Sequence, residues 1–457
     1  MKRQFNKLAY EKAEDLVFGK CLHPVKCGLG LEIGGGQVYP EVNYTLPPMD
    51  VEANYPKARQ EYIDMVREIL ERSAKLSVPG LVLEFEHTFD MTDKPAWGAE
   101  VTADIKKLMQ EFFDKHGLKS ALRVTVADTR DRLRPPQLRS GPEFDKMMQS
   151  FELCAKAGAD ILSIESTGGK EISDSCIMEC DIKGIVFSVG LLGSRDMEFL
   201  WDKIVGISDK YNVVPGGDTD CAHSNTAMRL AFMGYVPQVF AALVRAVGGA
   251  RSLVAFEQGA VGPHKDCGYE GPIVKAITGM PIAMEGKGCA CAHASYMGNV
   301  ASAACDLWSN ESVQHVRLLG GWAPEVFAEV LTYDCRLMNQ ALDKQHEHTL
   351  QHLMVESDIH TSPEALIIAP ESAIRIARAI ISHKGYYRRS LAAALEALAI
   401  ISESVKNGTL TISDREQTWL ENFGDELKSC PESEEAFIKE MMPKYETLFN
   451  PKEYGLK

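Results

Sequence analysis

The chain has 457 residues, 45% apolar and 25% charged, a composition that fits one large folded domain with an appendage. Forty-nine basic against 64 acidic residues leave a formal net charge of −15, which argues against bulk nucleic-acid binding and against a polybasic membrane dock. The charge-studded start MKRQFNKLAYEKAEDLVFGK does not read as a secretory signal, and no uninterrupted run of about 18 apolar residues reads as a membrane span, so a cytoplasmic protein is expected.

In chain order, eight short β-rich runs lie between residues 26 and 286. They are KCGLGLEIG, GLVLEFEH, ALRVTVADT, DILSIEST, GIVFSVG, NVVPGGDTD, RSLVAFEQG and GMPIAMEG. Most are continuous apolar cores, as expected of strands buried on both faces of a parallel sheet. Amphipathic segments separate them. The first, 58–75, places Tyr62, Val66, Ile69 and Leu70 on one stripe, and 98–116, 143–158, 195–210 and 237–247 behave alike. Eight strands with intervening helices over about 260 residues predict an α/β fold, a closed (β/α)₈ TIM barrel. A doubly wound dinucleotide-binding sheet is disfavoured, because Gly28-Leu29-Gly30 is followed by Ile33 where that fingerprint needs its third glycine. From residue 300 the strand signals stop, and 322–342, 372–382, 388–405 and 434–445 read as helices. The expected organisation is an N-terminal extension over 1–25, the barrel over 26–299 and a mainly helical C-terminal extension over 300–457 packed on the barrel.

Barrel chemistry sits at the C-terminal ends of the strands. Polar residues gather there along this chain: Glu32 on the first run, Glu84, Glu86 and His87 on the second, then Asp128 and Glu165. The sixth runs into Gly216-Gly217-Asp218-Thr219-Asp220-Cys221. The seventh carries Glu257 and continues to His264, Lys265, Asp266 and Cys267, and the eighth carries Glu285 before Cys289, Cys291 and His293. Any one of these is an ordinary strand end; the accumulation of carboxylates and thiols at one mouth is not. Twelve cysteines in a chain this long read as free thiols with a minority available for metal. A thiolate-rich catalytic site selects zinc with three protein ligands and one open position, and Glu165, Cys221 and Cys267 follow strands whose ends can converge. Rival groups are Cys176 with Cys180, which reads as helix packing, and Cys289 and Cys291 with His293. The patch His346, His348 and His352 reads as a solvated helix face, since Leu350 interrupts an HExxH pattern. Residue types and spacing alone leave a barrel with a zinc option and no reaction.

Seven blocks carry a resemblance: FGKCLHPVKCGLGLEIGGG, PAWGAEV, GADILSIESTGGKE, GGDTDCAHSNTAM, RSLVAFEQGAVGPHKDCGYEGPIVKAITGMP, MGNVASAACDLWSNESV and the terminal PKEYG. The chain resembles the methanol:corrinoid methyltransferases over almost its whole length. That resemblance implies a TIM barrel whose single zinc is held by Glu165, Cys221 and Cys267. It also implies a homodimer that docks a separate corrinoid protein, in a heterotetramer with it, and moves the methyl group of methanol onto Co(I). Hydroxide leaves poorly, so a proton source near the methanol oxygen should matter. Asp218, Glu257 and Glu86 are the candidates for a proton relay, each with the alternative role of bonding a loop or a metal ligand. Trp97 and Tyr269 could line the pocket, with core or rim packing as the plainer role. The alternative functions are transfer from another methyl donor, a methoxyaromatic or a methylamine, and a non-catalytic scaffold for the corrinoid protein.

Overall fold

The computed structural model describes residues 2–287, 295–313 and 316–456. An antiparallel hairpin comes first. β1 (Lys20–Cys27) turns through Gly28, Leu29 and Gly30 into β2 (Leu31–Gly35). Gly28 has φ +54°, and a Cβ there would stand 2.7 Å from Ala121 Cα, so only glycine allows both the turn and the approach.

Seven parallel strands build the sheet: β3 (Tyr39–Thr45), β4 (Leu81–Glu86), β5 (Ser120–Val126), β6 (Ile161–Ile164), β7 (Val214–Pro215), β8 (Ala283–Glu285) and β9 (Leu307–Val313). Their spatial order is β7-β6-β5-β4-β3-β9-β8. Residues 261–264 hydrogen bond to both outer strands. Val261 N–H donates to Pro215 O at 2.9 Å and Gly262 N–H to Gly216 O at 3.0 Å; on the other side His264 N–H donates to Pro281 O and Ala283 N–H to His264 O, both at 3.1 Å. The sheet therefore curls until its two edges share one segment. The hairpin closes the N-terminal end, where Leu31 and Ile33 pack with the strand-start residues Tyr39, Val82, Ala121, Ile161, Ala283 and Leu307.

Five of the eight expected runs are strands of this sheet; three are not. KCGLGLEIG is the hairpin, because its two glycines fold the run back on itself, so Glu32 lies exposed on β2 away from the mouth. GIVFSVG is helical, spanning the end of Ile182–Ile185 and the π-helical stretch Val186–Gly193. RSLVAFEQG forms the second half of the helix Gln238–Gln258. Both are buried all round, and their continuous apolar cores show no one-sided stripe, so periodicity no longer separates helix from strand. In the opposite sense, β3 alternates apolar residues with Glu41 and Asn43, and β9 carries the polar run Ser309 to Ser312. β9 lies beyond residue 300, so the sheet extends into the stretch expected to be mainly helical and to lie outside the barrel.

Gln238–Gln258 is the one helix among the described residues long and apolar enough to cross a membrane, and it is wholly buried. Tyr386–Lys406 packs along it, and Pro370–Ile381 and Pro363–Ile368 pack beside it, which ties the C-terminal helices to the body of the fold.

Candidate metal centre

Glu165 follows β6 directly, and Cys221 opens a π-helical turn, Cys221–Asn225, beyond β7. Cys267 lies in the loop after residues 261–264. The structure brings the three together: one ligand atom from each lies within 4.8 Å of the others, and the Cys267 thiol donates to Glu165 Oε1 at 2.8 Å. They line a cavity of about 450 Å³ with Ala222, Asn225, Thr226, Arg229, Leu230 and Glu311.

Each ligand loop is anchored from behind. Asp218 accepts from Ser166 N–H at 3.0 Å, Ser166 Oγ at 2.7 Å, Trp201 Nε1 at 2.8 Å and Thr219 N–H at 2.8 Å, so it joins the Glu165 loop to the Cys221 loop. Arg251, on the buried helix, donates to Thr219 O at 2.9 Å and to Ser166 O at 2.7 Å. Asn225 Nδ2 donates to Cys267 O at 3.1 Å while its Oδ1 accepts from Arg245 at 2.6 Å, tying the two cysteine loops. Asp218 is thus a loop anchor with its oxygens already engaged.

Beneath the cluster the sheet interior is ionic. Arg123 donates to Glu41 at 2.7 Å and to Ser163 Oγ at 2.9 Å. Lys265 lies 3.0 Å from Glu84, 2.5 Å from Asp266, 3.2 Å from Glu165 Oε1 and 3.7 Å from Cys267 Sγ. Glu41, Glu84 and Asp266 also place their oxygens within 4.8 Å of one another, but Arg123 and Lys265 already sit on them as counter-ions. Burial works against a charged Glu165, yet Lys265 and the thiol hydrogen bonds outweigh it and hold its carboxyl below the usual value. Cys221 is drawn down by its hydrogen bond with Cys267, but burial and Glu165 prevail and push it up to about 12; burial raises Cys267 as well. Without a metal both sulfurs are thiols, and a divalent ion binding here releases their protons.

Glu86, at the end of β4, lines two further cavities, of about 380 and 580 Å³; Glu165 lines the first and Glu311 the second. Asn43 Nδ2 donates to Glu86 Oε2 at 3.0 Å. Burial and then Glu165 raise Glu86 to about 7, and burial and then Glu86 raise Glu311 to about 8. Glu257 is elsewhere. It sits near the end of the buried helix, paired with Arg389 of Tyr386–Lys406 at 2.8 Å, and contributes nothing to the mouth. Trp97 stacks on Tyr55 at 4.0 Å on the outer helices, and buried Tyr269 lies under Arg245. Cys176 bonds the Tyr445 hydroxyl, and His346, His348 and His352 are exposed. Cys289, Cys291 and His293 lie outside the described residues. Lys265 and Glu311 went unassigned in the sequence. No pattern in LWSNESV marks Glu311, whereas the adjoining Asp266 and Cys267 were the available signal for Lys265.

A family model described as the methanol-cobalamin methyltransferase B subunit matches residues 2–455. This chain belongs to that family. It is 41% identical to the methanol–corrinoid protein co-methyltransferase of Methanosarcina barkeri (strain Fusaro / DSM 804), over 99% of both chains. Its fold superposes with a TM-score of 0.96 and 40% identity on a chain of the crystal structure of the methanol:cobalamin methyltransferase complex from Methanosarcina barkeri, covering 99% of this chain and 100% of the other. Family membership makes the chain a methyltransferase and gives the curled parallel sheet and its anchored loops a chemical purpose.

Proposed function

We propose that this chain moves the methyl group of methanol onto Co(I) of a partner corrinoid protein, assisted by one zinc ion held by Glu165, Cys221 and Cys267. The observation that carries the reading is the cluster of one carboxylate and two thiols, with ligand atoms within 4.8 Å of one another, lining a cavity. Two sulfurs favour a borderline-soft ion, and three protein ligands leave a position for substrate. Bonds of roughly 2.0–2.3 Å in a tetrahedral site space the donors roughly 3.3–3.8 Å apart, within reach of side-chain adjustment. The names of the relatives support the substrate and the corrinoid partner. With residues 261–264 as its eighth member, the sheet corresponds to a (β/α)₈ TIM barrel with its chemistry at the strand C-termini.

When bound, zinc supplies Lewis-acid polarisation of the methanol C–O bond. The chain's own contribution is orientation and a proton. Asn43 holds Glu86 Oε2, which leaves Oε1 to carry a proton toward the departing oxygen. Glu311 stands by to replenish it, since the two acids share a cavity and burial, with Glu86 next, raises the proton affinity of Glu311. Ala222 and Leu230 supply apolar wall that keeps bulk water off the reacting carbon.

Partner docking is placed at the mouth. The helix Thr226–Phe232, which lines the cavity, runs into exposed Phe232, Met233 and Tyr235, with exposed Tyr296 beside Phe232. A homodimer is proposed as well. Helix Ala323–Asp343 exposes Val330, Tyr333 and Leu337, a stripe of helical spacing open to a second copy. The ten described cysteines are free thiols, in keeping with a reducing cytoplasm.

The test is anaerobic mixing of zinc-loaded protein with cob(I)alamin and methanol, followed by the visible spectrum of methylcobalamin. Cys221→Ala should lose its zinc and at least ~100-fold in rate. If zinc-replete protein methylates neither cob(I)alamin nor the corrinoid partner from methanol, yet does so from a methoxyarene or a methylamine, that compound replaces methanol as the donor.

A further inference from the structure

Lys265 lies beneath the proposed metal ligands and is completely buried. Lysine is almost never buried without partners, and here the partners divide into two sets. Asp266 and Glu84 hold the ammonium at 2.5 and 3.0 Å from the interior side; Glu165 Oε1 at 3.2 Å and Cys267 Sγ at 3.7 Å receive it on the other. Asp266 Oδ1, which binds the ammonium, also accepts the Cys267 N–H at 2.8 Å, and its Oδ2 accepts from Ser309 Oγ at 2.6 Å. One carboxylate therefore fixes the cation relative to the backbone of a ligand. Lys265 does not line the 450 Å³ cavity, so it reaches the ligands from behind and leaves the substrate side open.

We propose that Lys265 is a positioning residue of the metal centre: its buried ammonium draws electron density from Glu165 and Cys267 and so keeps a thiolate-rich ion electrophilic. The proposal rests on the metal reading of Glu165, Cys221 and Cys267. Two thiolates and a carboxylate around a divalent ion carry 2 − 3 = −1, and Lys265, shared with Glu84 and Asp266, sets positive charge against that excess. Hydrogen bonds and charges behind metal ligands tune ligand basicity, and with it the pull of the ion on substrate oxygen. A cation needed only for Glu84 and Asp266 would have no reason to stand within hydrogen-bonding distance of two ligand atoms.

The experiment is cobalt(II) titration of the metal-free full-length protein, wild type beside Lys265→Met and Lys265→Arg. Wild type should develop a sulfur-to-cobalt charge-transfer band. Losing the cation makes sulfur the easier donor, so the band should move to lower energy in Lys265→Met, while the ligand-field bands that report coordination number stay in place. Lys265→Arg, which keeps the charge, should stay near wild type. At one zinc per chain, methyl transfer should fall at least ~10-fold in Lys265→Met and recover most of that in Lys265→Arg. If Lys265→Met does not fold, Lys265→Gln keeps a donor for the buried carboxylates without the charge and carries the same expectations. An unshifted band and an unchanged rate in the folded, metal-loaded uncharged variant would reduce Lys265 to a counter-ion and overturn the proposal. Absence of any thiolate band in wild type would instead overturn the metal reading beneath it.

Discussion

The three candidate acids separate once their surroundings are known. Glu86 opens onto the cavities, Asp218 is engaged by four donors, and Glu257 is locked to Arg389. Glu86 is raised from 4.5 to about 7 by burial and by Glu165, so it holds its proton below that pH. If it donates to the leaving oxygen, the rate of methyl transfer falls as pH rises through about 7. Glu86→Gln should lose on the order of 100-fold and flatten that limb, read from single-turnover rates between pH 6 and 8.5. An unaltered limb would assign the proton to another group. Glu257→Gln should behave differently: breaking a buried pair lowers stability by about 3 kcal/mol in denaturant titration, with kcat unchanged at full metal load.

At the scale of elements, two close packings place the site. Gly248 lets the buried helix lie against the Cys221 loop, since a Cβ there would stand 2.7 Å from Asp220 Cγ. The terminal turn Pro451–Tyr454 fastens the Glu165 loop from the other side. Tyr454 Oη accepts Gly169 N–H at 2.9 Å and donates to Glu171 Oε1 at 2.6 Å, while Glu453 accepts from Leu138 and Arg139 N–H. Tyr454→Phe would leave a buried N–H and a carboxyl without that hydroxyl, a cost of about 1–3 kcal/mol. Because that loop carries Glu165, zinc should also bind more weakly in a chelator competition. Lower stability with unchanged zinc affinity would make the latch purely structural.

Over the whole molecule, buried carboxyl groups make stability pH-dependent. Burial raises Glu364 to about 7 against the pull of Arg245, Glu171 to about 7 against its Tyr454 hydrogen bond, and Asp306 to about 6 against Lys275. Each binds its proton more tightly folded than unfolded. Their contribution is therefore complete below the unfolded values and is lost as pH rises through 6 to 7. The melting temperature should fall between pH 5 and 8, and Glu364→Gln, which cannot ionise, should fall less steeply over that window.

The sequence alone determined the α/β class, five strand positions, helices of the C-terminal region beyond β9, and Glu165, Cys221 and Cys267 as a set. Strand ends with polar residues and glycine turns are local features, and long matching blocks identify a family directly. Tertiary structure decided the remainder. It made GIVFSVG and RSLVAFEQG helical, because an element buried on every side loses the periodicity that separates helix from strand. It moved KCGLGLEIG out of the sheet, where Gly28 had to approach Ala121. It assigned Glu257 to Arg389 and set Lys265, beside its neighbours Asp266 and Cys267, against Glu84 and Glu165, partners so far away in the chain that its own stretch of sequence does not name them.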